Sequence, residues 1–494
     1  MLRKFLPWLF FLLLVPLSVA AATLEEKVQE HVFENGLRLL VVERPVAPVF
    51  SAYITIGVGA VNETSQTRGA AHLLEHMLFK GTKTLGTSNY AAEAPLLERI
   101  ESVGNRIDAI KNDPKTDPAE LQILRDELAT LQLEHKQYVV KDEFSRIYAE
   151  NGGTGYNAFT SKDQTTYVIN LPVNKLELWA AIESDRMKNP VLREFYTERD
   201  VILEERRRSY ESNPRGMLYE NLVANAFTVH PYRNPIIGWN SDIENLTLPE
   251  TRQFLQTYYA PVNTTICLVG DVDFRQAVTM VGAYFGAIPA GTPVPPVAAV
   301  EPEQKGEKRV NIRFEAEPSL AIAFHKPTLP SREDYVFDLI DMLLSAGPTS
   351  RLYRSLVIEQ QLAASIGTYG APGSRYPNLF VVSAAPRFPH TTEEIEKAIY
   401  AELEKLASEP ARAEEIDRVR KRLRTDKLRS LKSNEGLAGM LAYYQTVAGD
   451  WRYLVEYDRK VADIGPGEIM EVARRYFRPE NRTVTILAKG EDAI

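Results

Sequence analysis

Cysteine is almost absent from this chain. The single one, Cys267, cannot form an internal disulfide, so 494 residues must be held by their core alone. The length is enough for about two to four domains. Histidine is scarce, with seven residues, so any cluster of it is informative. No basic block occurs: 58 Lys and Arg are interspersed with 66 Asp and Glu, for a net charge of -8. That excludes a nucleic-acid footprint, and no nucleic-acid partner is expected. Apolar content of 44% and charged content of 25% are those of an ordinary globular protein. The apolar run at 5–17 is short for a membrane span.

That run belongs to an N-terminal signal pattern. Arg3 and Lys4 precede it, and Ser18-Val19-Ala20 follow as a small-residue cleavage site. Residues 1–22 are therefore expected to be a signal peptide, with the mature chain periplasmic or secreted; an uncleaved anchor is the alternative. Loss of Arg3 and Lys4 would take the net charge from -8 to -10. Cys267 lies in the apolar run 265–269, where a buried, inert thiol is expected.

Against these absences stands one dense motif, His72-Leu73-Leu74-Glu75-His76. At 100° per residue, His76 lies about 40° from His72, and Glu75 about 300°. Two imidazoles and a carboxylate thus share one helical face. The inverse motif H-E-x-x-H places its Glu as the mirror image about the midline of the His pair. Either arrangement lets two neutral imidazoles hold a metal with a carboxylate beside the water it activates. Gly69 suits the start of such a helix.

A Pro- and Gly-rich linker, 288–308, divides the mature chain into 23–287 and 309–494. The two parts echo each other. Tyr258-Tyr259-Ala260-Pro261-Val262-Asn263 and Tyr476-Phe477-Arg478-Pro479-Glu480-Asn481 lie 218 residues apart, each between a helix and a strand. A duplicated domain is expected. Strand-like runs (37–42, 51–58, 166–171, 320–324, 379–384) and helix-like stretches (175–187, 194–210, 334–344, 392–406) predict an α+β sandwich with helices on one face. Residues 105–150 read as a helical hairpin inserted in the first part, with Asp117 capping a helix that Pro118 opens.

A peptidase zinc site usually has three protein ligands. The stretch Glu198 to Glu205 offers candidates: these two acids are seven residues apart and face one way, while Glu204 faces elsewhere. One can ligate while the other orients the site.

The run His72 to Thr82, then Tyr156-Asn157-Ala158-Phe159-Thr160-Ser161, then Glu198 to Glu205 resembles the pitrilysin/insulinase family of zinc metallopeptidases. The mitochondrial processing peptidase β-like branch is closest in style. The resemblance extends over nearly the whole mature chain, through His230-Pro231-Tyr232 and Leu268-Val269-Gly270-Asp271. It implies a clam-shell of two homologous α/β sandwich domains, each a mixed, mostly antiparallel sheet, the second without a metal motif. It implies one zinc ion held by His72, His76 and Glu205, with Glu75 as general base and Glu198 as a supporting acid. It further implies that Asn157 and Ala158 lie on an edge strand that aligns an extended substrate backbone. The activity implied is endopeptidase cleavage of peptides or unfolded segments.

Two departures bear on this. From His76 to Glu205 is 129 residues, longer than usual in the family, and the 105–150 insertion accounts for most of the excess. The family's second half often carries an Arg and a Tyr that help hold substrate, in a pattern like L-R-x-x-x-x-L-A-Y. Here Val357 and Ala364 occupy those positions. The chain is thus expected to pair with a same-fold subunit that lacks H-x-x-E-H and carries the Arg/Tyr pair; a homodimer is the alternative. The rival readings are a non-catalytic structural subunit and a peptide-binding chaperone of the same fold.

Overall fold

The computed structural model describes residues 23–489; the expected signal peptide, 1–22, lies outside the described residues. Among the described residues, eleven strands form two sheets. The first contains β1 (Val28–Val32), β2 (Arg38–Glu43), β3 (Val49–Ile56), β4 (Thr154–Thr160), β5 (Thr165–Pro172) and β6 (Thr264–Gly270). Its order is β1-β2-β6-β3-β5-β4. The second contains β7 (Lys308–Arg313), β8 (Ser319–Lys326), β9 (Ala363–Ala371), β10 (Asn378–Pro386) and β11 (Arg482–Ala488), in the order β7-β11-β8-β10-β9.

Remove β1, and the two orders coincide strand for strand. Only β2–β6 and β7–β11 run parallel, again in matching places. The Tyr-x-x-Pro-x-Asn blocks also do the same work twice. Asn263 donates its side-chain amide to the Tyr258 carbonyl at 3.0 Å, and Asn481 does so to Tyr476 at 2.9 Å. Each amide ties a helix end to the strand that follows it.

Alternation along the strands sends residues to two cores. In the first sheet, Phe50, Ala52, Ile54 and Ile56 meet that half's own helices. Tyr53, Val168 and Cys267 face the other way. What covers them is the helix Asn434–Tyr443, through Leu437, Ala438, Leu441 and Ala442, from the far end of the chain. The second sheet is covered reciprocally. Its own helices pack on Leu320, Ile322 and Phe324, and the helix Pro214–Ala226 of the first half packs on Ala321, Ala323 and Val381 through Leu218, Leu222 and Val223. Each half's own helices thus lie on one face, and each half lends a helix to the other's open face. The linker at 288–308 separates the sheets but not these layers.

The halves also meet where equivalent turns approach. Asp163, in the turn between β4 and β5, accepts hydrogen bonds from Ser374 and Arg375 N–H at 2.6 and 3.2 Å and from the Tyr232 hydroxyl at 2.6 Å. Residues 374 and 375 lie in the turn between β9 and β10. Arg375 reaches the carbonyls of Gly57 and Thr446.

The helical hairpin starts earlier than the sequence suggests. Its first arm, Tyr90–Ile110, is one helix capped by Asn89, and the second, Pro118–His135, is capped by Asp117. A charged helical period beginning at 105 does not distinguish an insertion from the continuation of a helix already begun. A fully buried carboxylate pins the hairpin: Glu93 meets His135 at 2.7 Å and Arg193 at 2.7 and 3.0 Å. Burial alone would raise its pKa, but these two partners outweigh it and hold the group down at about 2.

Candidate metal centre

The helix Ala70–Met77 carries the motif. It begins at Gly69, whose φ of 87° suits glycine, and a Cβ there would lie 2.8 Å from the Ile237 carbonyl oxygen. Glu63 holds the helix start, accepting the N–H groups of Gly69 and Ala71, each at 2.9 Å. Leu73, Leu74 and Met77 are buried in the core. His72, Glu75 and His76 are left half-buried on the opposite side, as the helical period requires.

The helix Phe195–Arg206 anchors itself through Phe195, Tyr196 and Ile202 and passes beside this face. Glu205 comes within 3.7 Å of His72 Nε2 and 3.6 Å of His76 Nε2. The donor atoms of these three residues all lie within 4.8 Å of one another, close enough to share one ion. Glu198 takes the other position: its carboxylate meets His76 Nδ1 at 3.0 Å and Lys80 at 2.5 Å. Glu204 turns outward to Arg207, with both contacts at 2.8 Å. Of the two acids left open by the seven-residue spacing, Glu205 is the one that lies near both Nε2 atoms.

The electrostatics differ sharply between the two imidazoles. Burial and the neighbouring His76 pull the His72 pKa down to about 3. That disfavours the charged form of its ring. Burial also acts on His76, but the bond and charge of Glu198, with Glu205 and Glu75 beyond, carry it above the ordinary value. Glu75 is raised, chiefly by burial, although Thr160 hydrogen bonds to it. Burial likewise opposes the charge on Glu198, yet His76 and Lys80 keep it below the usual carboxylate range.

Asn157 and Ala158 lie on β4, which is the edge of the first sheet. They share a groove of about 560 Å³ with Glu75 and His76. The opposite wall is 139–142, where the hairpin returns to the body. Three contributors were not legible beforehand: Thr160 on Glu75, Lys80 on Glu198, and the 139–142 wall. Of the three non-glycine residues with positive φ among the described residues, Asp142 and Glu194 line the same groove. Val357 and Ala364 are far simpler. Val357 packs on the second core, and Ala364 is exposed at the start of β9. Cys267 is fully buried, and burial pushes its thiol pKa up.

Comparison with known proteins fits this arrangement. Residues 38–116 and 133–239 match the model of the insulinase peptidases, family M16, and residues 245–423 match that of the M16 inactive domain. The chain belongs to this family of peptidases. It is 26% identical over 478 residues to "Zinc protease PqqE" of Helicobacter pylori, covering 95% of each chain. It is 23% identical over 490 residues to "Probable mitochondrial-processing peptidase subunit beta" of Schizosaccharomyces pombe, covering 95% of this chain and 93% of that one. A crystal structure of a protease from Helicobacter pylori superposes with a TM-score of 0.79 at 25% identity, over 94% of this chain and 99% of that one. These likenesses carry the two-domain clam-shell fold.

Proposed function

We propose that this chain is an exported zinc endopeptidase acting on peptides or unfolded protein segments. The observation that carries the reading is the meeting of His72 Nε2, His76 Nε2 and Glu205 within 4.8 Å, with Glu75 adjacent and an open sheet edge alongside. The donor set suits zinc: two imidazole nitrogens, one of them neutral by its burial, and a carboxylate. When bound, one zinc ion supplies Lewis-acid polarisation of a peptide carbonyl and makes water more acidic.

The chain's own groups do the rest. His76, with Nδ1 donating to Glu198, keeps its Nε2 lone pair aimed at the site. Glu75, held by Thr160, accepts the proton of the attacking water and returns it to the leaving amine. β4, near Asn157 and Ala158, pairs with an extended substrate backbone. A folded strand has no free ladder groups to offer, so unfolded segments are preferred.

Export rests on the N-terminal signal pattern. No helix among the described residues is long and apolar enough to cross a membrane. The periplasmic protease PqqL of Escherichia coli is a relative. The bare positions Val357 and Ala364 favour a partner chain of the same fold that supplies the missing Arg and Tyr over the groove; a homodimer is the second reading. Non-catalytic subunit and chaperone are the competing functions.

Metal analysis and cleavage of a quenched peptide by the mature chain decide among them. The expected result is one zinc per chain and turnover abolished by a chelator. Zinc without turnover, alone or with candidate partners, would leave a binding protein. No zinc would overturn the reading. Loss of zinc in Glu198→Gln with retention in Glu205→Gln would reverse the ligand assignment.

A further inference from the structure

The second half has its own cluster of acids between the helix Arg332–Ser345 and the segment following helix 434–443. Asp334 is paired with Lys326. Asp338 and Asp341 have no such partner: among the described residues, no Lys, Arg or His lies within salt-bridge range of either. Asp338 accepts only the Tyr457 hydroxyl, at 2.7 Å, and Asp341 that of Thr368, at 2.5 Å. These groups line a cavity of about 210 Å³ and border a second of about 280 Å³; Asp338, Asp341, Tyr444 and Tyr457 belong to both.

Two further polar atoms of the first cavity's wall lack partners. Asn378 and Tyr335 are each 3% exposed, and neither the Asn378 Oδ1 nor the Tyr335 hydroxyl makes a hydrogen bond. Orphaned buried polar groups are uncommon and call for an explanation. Burial pushes Asp338 up to about 7, with Asp334 adding to it, and Asp341 up to about 6; the more distant Lys326 pulls both down without offsetting the burial.

The chemistry selects the ligand class. Among the described residues, the one cluster compact enough for a metal ion is His72, His76 and Glu205. The aspartates are too dispersed for a bare ion and suit a longer cation. Tyr443, Tyr444 and Tyr457 supply aromatic walls of the kind that hold ammonium groups. Lys326 shows the mode in place, its Nζ 5.4 Å from the centre of the Phe337 ring.

We propose that this cavity binds a small organic cation carrying a primary alkylammonium group, with Asp338 and Asp341 as its counter-ions. The ligand would touch both the second half's helix and the residues continuing helix 434–443, which rests on the first sheet. It would therefore sit at the joint between the halves.

The test is calorimetric titration of the mature chain with 1,4-diaminobutane, against sodium chloride at equal ionic strength. Saturable binding and a rise in Tm beyond the salt control are expected. Asp338→Asn and Asp341→Asn should each weaken binding by about tenfold or more. Competition by N-acetyl-lysine methylamide would identify a basic side chain as the source, and its failure to compete a free amine. No saturable binding to the wild-type chain, or equal binding by folded Asn variants, overturns the proposal. Binding is read without catalysis, so its failure leaves the peptidase reading untouched.

Discussion

In the first half, helix 70–77 lies beside the edge strand β4, and Thr160 of that strand hydrogen bonds to Glu75. In the second half, helix 332–345 lies in the corresponding place beside the edge strand β9, and Thr368 hydrogen bonds to Asp341. The backbone thus builds the same slot twice: a helix, an edge strand and a carboxylate held by a threonine. Only the first slot adds two imidazoles and a crossing Glu. Position comes from the fold, and chemistry from a handful of side chains set into it.

The sharpest way to break this comparison is at Glu75. Glu75→Gln keeps shape and hydrogen bonding but cannot take a proton. Peptide turnover should fall about 100- to 10,000-fold while zinc content is unchanged. Near-normal turnover would make the first carboxylate as inert as the second.

The exchanged helices offer the next largest effect. Leu222→Ala and Leu441→Ala each remove a buried side chain from a lent helix and should cost about 2–5 kcal/mol in urea unfolding. Both variants should unfold in one transition. Two separate transitions would show halves that stand alone.

Glu198→Gln probes how the first slot is tuned. It keeps a hydrogen bond to His76 but loses the charge, and zinc affinity should weaken about 10-fold, measured by competition with a chelating dye. A smaller effect is expected from Asp338→Asn. Burial raises the folded-state pKa of Asp338 to about 7, above the ordinary aspartate value of 3.8. Its stabilising contribution is therefore complete below about pH 4 and is lost as pH rises through about 7. The variant should be more stable than wild type at pH 8, by on the order of 1 kcal/mol, with the advantage gone near pH 4. Parallel stability curves for the two proteins would sink this.

What could be read in advance follows the range of the interaction. His72, Glu75 and His76 are fixed by one helical turn, so their shared face was legible. The pairing of halves was legible because Tyr-x-x-Pro-x-Asn is a local device used twice. The helical period alone left Glu198 and Glu205 open, and only the family resemblance favoured Glu205, because the choice depends on how one helix crosses another 120 or so residues away. Thr160, Lys80 and the 139–142 wall are likewise set by tertiary approach. Helices 214–226 and 434–443 have only weakly one-sided apolar patterns, and nothing in their period says whose sheet they cover.

That exchange bears on how the protein is made. The first sheet is complete once β6 has emerged, yet the helix that covers its outer face ends at Tyr443. At about 5–20 residues per second, the ribosome needs on the order of ten to thirty seconds to bridge that gap. Throughout it, an apolar surface waits uncovered. The order of the helices thus sets how long that face stays open while the second half is made.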